Sequence, residues 1–123
     1  MANEKNVILD SLFSALGDGT RRAVIARLAE GPCSIKELAE PHGMALSSFL
    51  KHITVLERAG LVTSTKRGRV RTCRLNSDAF RPAETWIASR RRATSSRLDT
   101  FASLMSGMRK PGESAGKGDE RPA

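Results

Sequence analysis

Apolar residues recur at three- and four-residue spacing in several stretches of the chain, and each such stripe predicts one amphipathic helix. Ile8, Leu9, Leu12, Phe13 and Leu16 make the first, predicting a helix over Asn6–Leu16. Gly17-Asp18-Gly19 interrupts it, and Asp18 or Thr20 is placed to cap a second helix over Thr20–Ala29. Val24, Ile25 and Leu28 form its expected inner face, and Gly31-Pro32 ends it. Ser34 and Glu37 stand in capping-box spacing at the head of a short helix over Ser34–Glu40, and Pro41-His42-Gly43 reads as a turn. A fourth helix over Leu46–Ala59 places Leu46, Phe49, Leu50, Ile53 and Leu56 on one face. At 100° per residue, Ser47, Lys51, Thr54, Val55 and Arg58 fall on the other, and Gly60 stops the helix.

Two short extended runs follow, Leu61–Lys66 and Val70–Leu75, joined through Arg67-Gly68-Arg69. They predict a β-hairpin with a basic tip. A last long helix starts near Pro82, a residue tolerated in a first turn, and runs to Met108. Its apolar stripe comprises Trp86, Ile87, Leu98, Phe101, Leu104, Met105 and Met108, broken in the middle by Arg90, Arg91, Arg92 and Arg97. From Arg109 onward the chain is Gly, Pro and charge without period, the pattern of a disordered tail. The expectation is therefore one domain over 1–108 and a tail over 109–123. The fold class is mainly α with a small β-hairpin, in the order of a winged helix-turn-helix, where one helix enters the major groove and the hairpin reaches along the backbone. The last helix has no partner inside so small a domain, and its stripe would otherwise be an exposed patch. A homodimer follows, built from Leu9, Leu12 and Phe13 of the first helix with Trp86, Leu98, Phe101, Leu104 and Met105 of the last.

Charge sharpens this picture. The net charge is +8, and the 45–75 region holds Lys51, Arg58, Lys66, Arg67, Arg69, Arg71 and Arg74 against the single acid Glu57. Six of the eight net charges thus sit in a quarter of the chain, which suits a phosphate backbone. With four Phe, one Trp and no Tyr, the chain lacks the aromatic platforms that stack single-stranded bases. At 123 residues it supports one domain with a self-sufficient core. No stretch approaches the roughly 18 apolar residues of a membrane span, and Met1-Ala2-Asn3-Glu4-Lys5 lacks the apolar run of a signal peptide. With two cysteines and no secretion signal, the reading is cytoplasmic, on the nucleoid when DNA-bound.

A denser pattern runs through Leu16-Gly17-Asp18-Gly19-Thr20-Arg21-Arg22, Glu37-Leu38-Ala39, and Leu50-Lys51-His52-Ile53-Thr54-Val55-Leu56-Glu57-Arg58-Ala59-Gly60-Leu61-Val62. Gly68-Arg69-Val70-Arg71 and Arg74-Leu75-Asn76 extend it. This stretch resembles the ArsR-type winged-helix repressors. The resemblance implies a helix-turn-helix of Pro32–Glu40 and Leu46–Ala59, with the latter as recognition helix. Double-stranded DNA would be held by Ser47, Ser48, Lys51, His52, Thr54, Val55 and Arg58, and by Lys66, Arg67, Arg69 and Arg71 of the wing. It also implies a dimer through the first and last helices, reading an imperfect palindrome as a repressor. Two positions depart from the family pattern. Ala45 and Leu50 stand where serines are usual, so the recognition helix loses a cap that Ser47 only partly replaces. The family's thiolate metal site maps onto Ser34 and Lys36, neither a soft ligand. The alternative site needs His and carboxylates on the last helix, where Glu84 and Asp99 stand far apart and no His occurs between Pro82 and Met108. No metal and no cofactor are expected.

Several residues admit a plainer reading. Lys51 is a DNA contact or a solvated lysine, and His52 a phosphate donor or hydrogen-bonded scaffold; His42 in the turn is read the same way. Arg21 and Arg22 oppose the dipole at a helix start, which implies phosphate contact or an ion pair with Asp18. Arg90-Arg91-Arg92 is a solvated face or the lining of a pocket for an anionic effector. Cys33 and Cys73 are candidates for a redox pair, because the extended segment before the third helix pairs with the second hairpin strand in winged helices. Opposed Cα atoms there lie within disulfide range, and Arg71 and Arg74 would favour a thiolate. The plain reading is two buried hydrophobes. No nucleophile-and-base arrangement or phosphate loop points to an enzyme, and the competing class is a winged-helix module that docks a protein.

Overall fold

A computed structural model describes residues 3–107 of the chain. The elements follow the expected order: α1 (Glu4–Leu16), α2 (Gly19–Leu28), β1 (Cys33–Ser34), α3 (Ile35–Ala39), α4 (Leu46–Arg58), β2 (Val62–Arg67), β3 (Val70–Leu75) and α5 (Arg81–Gly107). Single 3-10 turns, Glu40–His42 and Ser77–Phe80, precede α4 and α5. Met108 and the expected tail over 109–123 lie outside the described residues. The chain divides after Trp86 into two units, with α1 to β3 and Arg81–Trp86 of α5 in one and the rest of α5 in the other.

Local chemistry sets each boundary. Asp18 caps α2 by accepting from the Arg21 N–H at 3.1 Å. The capping box of α3 closes both ways: Ser34 Oγ accepts from Glu37 N at 3.2 Å, and Glu37 Oε1 from Ser34 N at 3.4 Å. At the end of α4, Gly60 adopts φ 79°, a left-handed value open to glycine at little cost. Its N–H donates to Glu57 O at 2.9 Å and Leu61 N–H to Leu56 O at 3.0 Å, the paired bonds of a Schellman motif. Leu61, fully buried, then leads straight into β2.

The sheet has strand order β1-β3-β2, all antiparallel. β1 pairs with β3 so that Cys33 faces Cys73, as the sequence argument expected, and Ser34 faces Thr72. The two-residue loop Gly68-Arg69 has positive φ at Gly68 (59°) and not at Arg69, the signature of a type II′ turn. Its twist matches that of the strands it joins.

A core lies under the helices, and among the described residues no charged or polar one is buried in it. Phe49, Ile53 and Leu56 of α4 fill its centre, met by Leu12 and Ala15 of α1, Val24 and Leu28 of α2, and Leu38 of α3. Two expectations fail here. Leu12, placed in the dimer interface from sequence, is fully buried in the protomer's own core. Leu46, placed inward, is 57% exposed: one residue into the helix, it precedes the turn that packs. A stripe tells which residues are apolar, not how far along it the neighbouring elements reach.

Ala45, the N-cap of α4, has extended backbone (φ −60°, ψ 144°) and makes no side-chain cap hydrogen bond, and Ser47 does not supply one in its place. The backbone is already in N-cap geometry. Ala45→Ser should therefore raise unfolding free energy by about 1 kcal/mol. Chemical denaturation of the two proteins checks this; an unchanged midpoint would mean that water already satisfies those N–H groups equally well.

Candidate nucleic-acid interface

Burial of Phe49, Ile53 and Leu56 turns the other side of α4 to solvent. Ser47, Ser48, Lys51, Thr54 and Arg58 are all exposed there. Val55 is not. It is half-buried against the core, and with Arg58 it borders a shallow pocket shared with Asp10, Ser11 and Ser14 of α1. The sequence-based groove face was thus drawn too wide at its C-terminal end, because α1 packs against that flank.

The wing presents Lys66, Arg67 and Arg69 at its exposed tip. Arg71 is turned elsewhere. Its Nη2 donates to Glu57 Oε2 at 2.7 Å and its Nε to Ser64 Oγ at 3.0 Å, while Ser64 Oγ donates to the same Glu57 oxygen at 2.6 Å. This closed triad joins the last turn of α4 to both wing strands. Arg71 braces the wing against the helix and is not a free contact for DNA. The one acid of the 45–75 region is consumed in the same pairing, which leaves the tip cations unopposed within that region. Lys66 and Arg71 are cross-strand partners, and like charges directly opposed repel. Drawing Arg71 to Glu57 relieves that pairing.

His52 and Arg21 form a second brace. Arg21 Nε donates to Ala15 O at 2.9 Å and Nη2 to Ser14 O at 2.8 Å, while Arg22 Nη1 donates to Leu16 O at 2.8 Å. These two arginines cap the C-terminal carbonyls of α1, which explains cations at a helix start better than the phosphate contact or Asp18 ion pair expected from sequence. Arg21 Nη1 lies 3.0 Å from His52 Nδ1. A guanidinium only donates, so Nδ1 accepts and the imidazole proton sits on Nε2. His52 Nδ1 is also 3.7 Å from Asp18 Oδ2. The Arg21 backbone N–H holds the Asp18 carboxyl below the usual carboxylate range. His52 is scaffold that ties the recognition helix to the head of α2. His42 stacks on Phe49 with ring centroids 5.7 Å apart.

Cys33 and Cys73 are free and buried. Burial pushes both thiols above their usual range. Arg27 pulls Cys33 down and Arg71 pulls Cys73 down, each by less than burial raises it. The expected activation to thiolate by Arg71 and Arg74 is therefore overturned: desolvation outweighs the neighbouring cation. Cys33 Sγ donates instead to Glu37 Oε1 at 3.8 Å, within the α3 capping box. Among the described residues, no three His, Cys, Asp or Glu side chains stand together in a way that would hold a metal ion. Arg91 and Arg92 line a shallow pocket with Ser95, Ser96 and Asp99, all on one face of α5. No helix among the described residues is long and apolar enough to cross a membrane.

A helix-turn-helix whose second helix shows a polar, basic face, flanked by a hairpin with a cationic tip, defines a winged-helix DNA-binding protein. Comparison with known proteins agrees. Residues 16–65 match the family model described as a helix-turn-helix domain. The crystal structure of the ArsR family transcriptional regulator RHA00566 superimposes with a TM-score of 0.73 at 45% identity, covering 78% of this chain and 98% of that one. The HTH-type transcriptional regulator Rv2034 of Mycobacterium tuberculosis is 39% identical over 67 residues, 54% of this chain and 63% of that protein, so the match spans under two thirds of its length. The transcriptional repressor SdpR of Bacillus subtilis is 23% identical over 79 residues, 64% of this chain and 88% of that protein. The chain belongs to the ArsR family, as the sequence resemblance implied: it is a DNA-binding transcriptional regulator of the helix-turn-helix type.

Glu57, Ser64 and Arg21 were not singled out from sequence for the bracing they perform. Glu57 carried a usable signal, as the lone acid among seven cations. Raised thiol pKa values have a consequence for stability. The unfolded chain loses its thiol protons first, near pH 8.5, while the folded protein keeps them. The thiol contribution is fully present below about pH 8.5 and is lost as pH rises toward the folded values. Urea unfolding across this range should show an alkaline decline that is shallower in C33A/C73A, whatever that variant's overall stability. Identical slopes would contradict the burial argument.

Proposed function

We propose that the protein is a homodimeric repressor acting in the cytoplasm, on the nucleoid, with residues 1–108 as its DNA-binding and dimerisation region. The observation that carries the dimer is the state of α5. Leu98, Phe101 and Leu104 are 62%, 61% and 63% exposed, and Met105 is 45% exposed. Three- and four-residue spacing keeps them on one side of the helix, an apolar face that water disfavours and a second copy would cover. In the first unit, Phe13 of α1 and Trp86, ring centroids 5.8 Å apart and edge to face, are exposed as well, and Leu9 is half-buried.

In the dimer, two copies of α4 enter successive major grooves about 34 Å apart and read an imperfect palindrome. Ser47, Ser48, Lys51 and Thr54 face the groove, Arg58 stands at its edge, and Lys66, Arg67 and Arg69 hold the backbone. A repressor role is supported by the similarity to the transcriptional repressor SdpR; occlusion of a promoter is the mode of repression we propose. The protein-docking alternative requires a neutral or apolar recognition face, and the exposed Lys51, Arg58 and wing cations argue against it.

Operator affinity should fall steeply with salt, with a log–log slope of about 0.9 per neutralised phosphate. R67A/R69A should weaken binding to all sequences alike and flatten that slope; normal affinity at physiological salt would remove the wing from the interface. In sedimentation at micromolar concentration the wild type should be a dimer and L98E/F101E a monomer with unchanged helix content. A monomeric wild type would end the dimer reading.

A further inference from the structure

Leu46 is the apolar residue of α4 that the core does not use. Phe49, Ile53 and Leu56 are buried and Leu50 and Val55 half-buried, while Leu46 stands 57% exposed. It is the first residue of α4, where the preceding Ala45 contributes no side-chain cap. It forms a ridge between two open clefts. One, of about 510 Å³, runs to the wing and is bordered by Lys36, Lys66 and Arg69, with the exposed Val70 in the same wall. The other is bordered by Lys36, Glu37, Glu40 and Met44, so its charge is mixed.

On the wing side, an exposed leucine with Lys36, Lys66 and Arg69 around its cleft suits a surface that is polyanionic at its edges and offers one small apolar group between them. In the major groove that group is the C5-methyl of thymine, the one methyl group on a base edge there. Recognition helices direct their N-terminal residues at base edges, which is where Leu46 stands. We infer that Leu46 is a specificity residue that selects thymine in each half-site through contact with its methyl group. This rests on the reading of α4 as the recognition helix. Lys66 and Arg69 would hold the backbone on the wing side of the same cleft and fix the depth at which the leucine meets the base.

The test uses a duplex enriched from a random-sequence library by the full-length protein, with its thymines replaced one at a time by deoxyuridine. That change deletes the methyl group and leaves base pairing and phosphate charge intact. For the wild type, one thymine per half-site should be found whose replacement weakens binding about fourfold, the effect of one buried methyl-sized group. L46A should bind the thymine and deoxyuridine duplexes equally. Its thermal unfolding should match the wild type, because the side chain lies outside the core, and its salt slope should be unchanged. The proposal is overturned if no deoxyuridine substitution weakens wild-type binding, or if L46A keeps the discrimination. K51A separates the two levels. If K51A binds weakly while L46A still discriminates, the methyl contact alone fails. If K51A and L46A both bind as the wild type does, α4 is not the reading helix and the inference falls with it.

Discussion

The burial of Phe49, Ile53 and Leu56 beneath α1, α2 and α3 is the constraint on which the rest of this structure depends. All three are wholly shielded from solvent. Truncating a buried phenylalanine alone costs about 3–5 kcal/mol, so α4 cannot rotate about its axis without losing a large share of a small domain's stability. With that face locked, a 100° step per residue dictates what remains outside: Ser47, Lys51 and Thr54. The reading surface is the complement of the packing surface.

Rotation is only one degree of freedom, and the wing must also be held. Its angle to α4 is set by the Schellman exit at Gly60, which delivers Leu61 into β2, and by the Glu57–Arg71–Ser64 triad, which clamps both strands to the last helical turn. The triad is part-exposed, and such a pair contributes little to stability, typically under about 1 kcal/mol. Its value is geometric. It orients the hairpin, removes the one acid from the basic region, and leaves Lys66, Arg67 and Arg69 as a tip whose charge has no local opponent. Arg21 and His52 do the same at the other end, linking the end of α1, the head of α2 and the flank of α4.

The two buried cysteines show how a sequence argument can be right in geometry and wrong in chemistry. Their register across β1 and β3 follows from the order of elements, and the structure has it. Their reactivity depends on competition between nearby arginines and desolvation, and burial wins at both sites. A paired position alone therefore does not make a thiol switch.

Sequence by itself determined the element order, the hairpin and its tip, the cap at Ser34, the stop at Gly60 and the family, and it narrowed the cap of α2 to Asp18 or Thr20. All of these are written in local spacing and in the backbone preferences of single residues. It also located the basic region, since charge is read by counting. Only the tertiary structure decided which members of each stripe are used. Leu12 went to the protomer's own core, Val55 went to the α1 flank, and Leu46 was left outside. Only it assigned partners to the charges, taking Arg71 and Arg21 for bracing and leaving Lys51 and the wing tip free. The physical reason is the range of the interactions. Periodicity and capping act within a few residues, whereas burial and ion pairing depend on groups far away in the chain that the fold alone brings within contact.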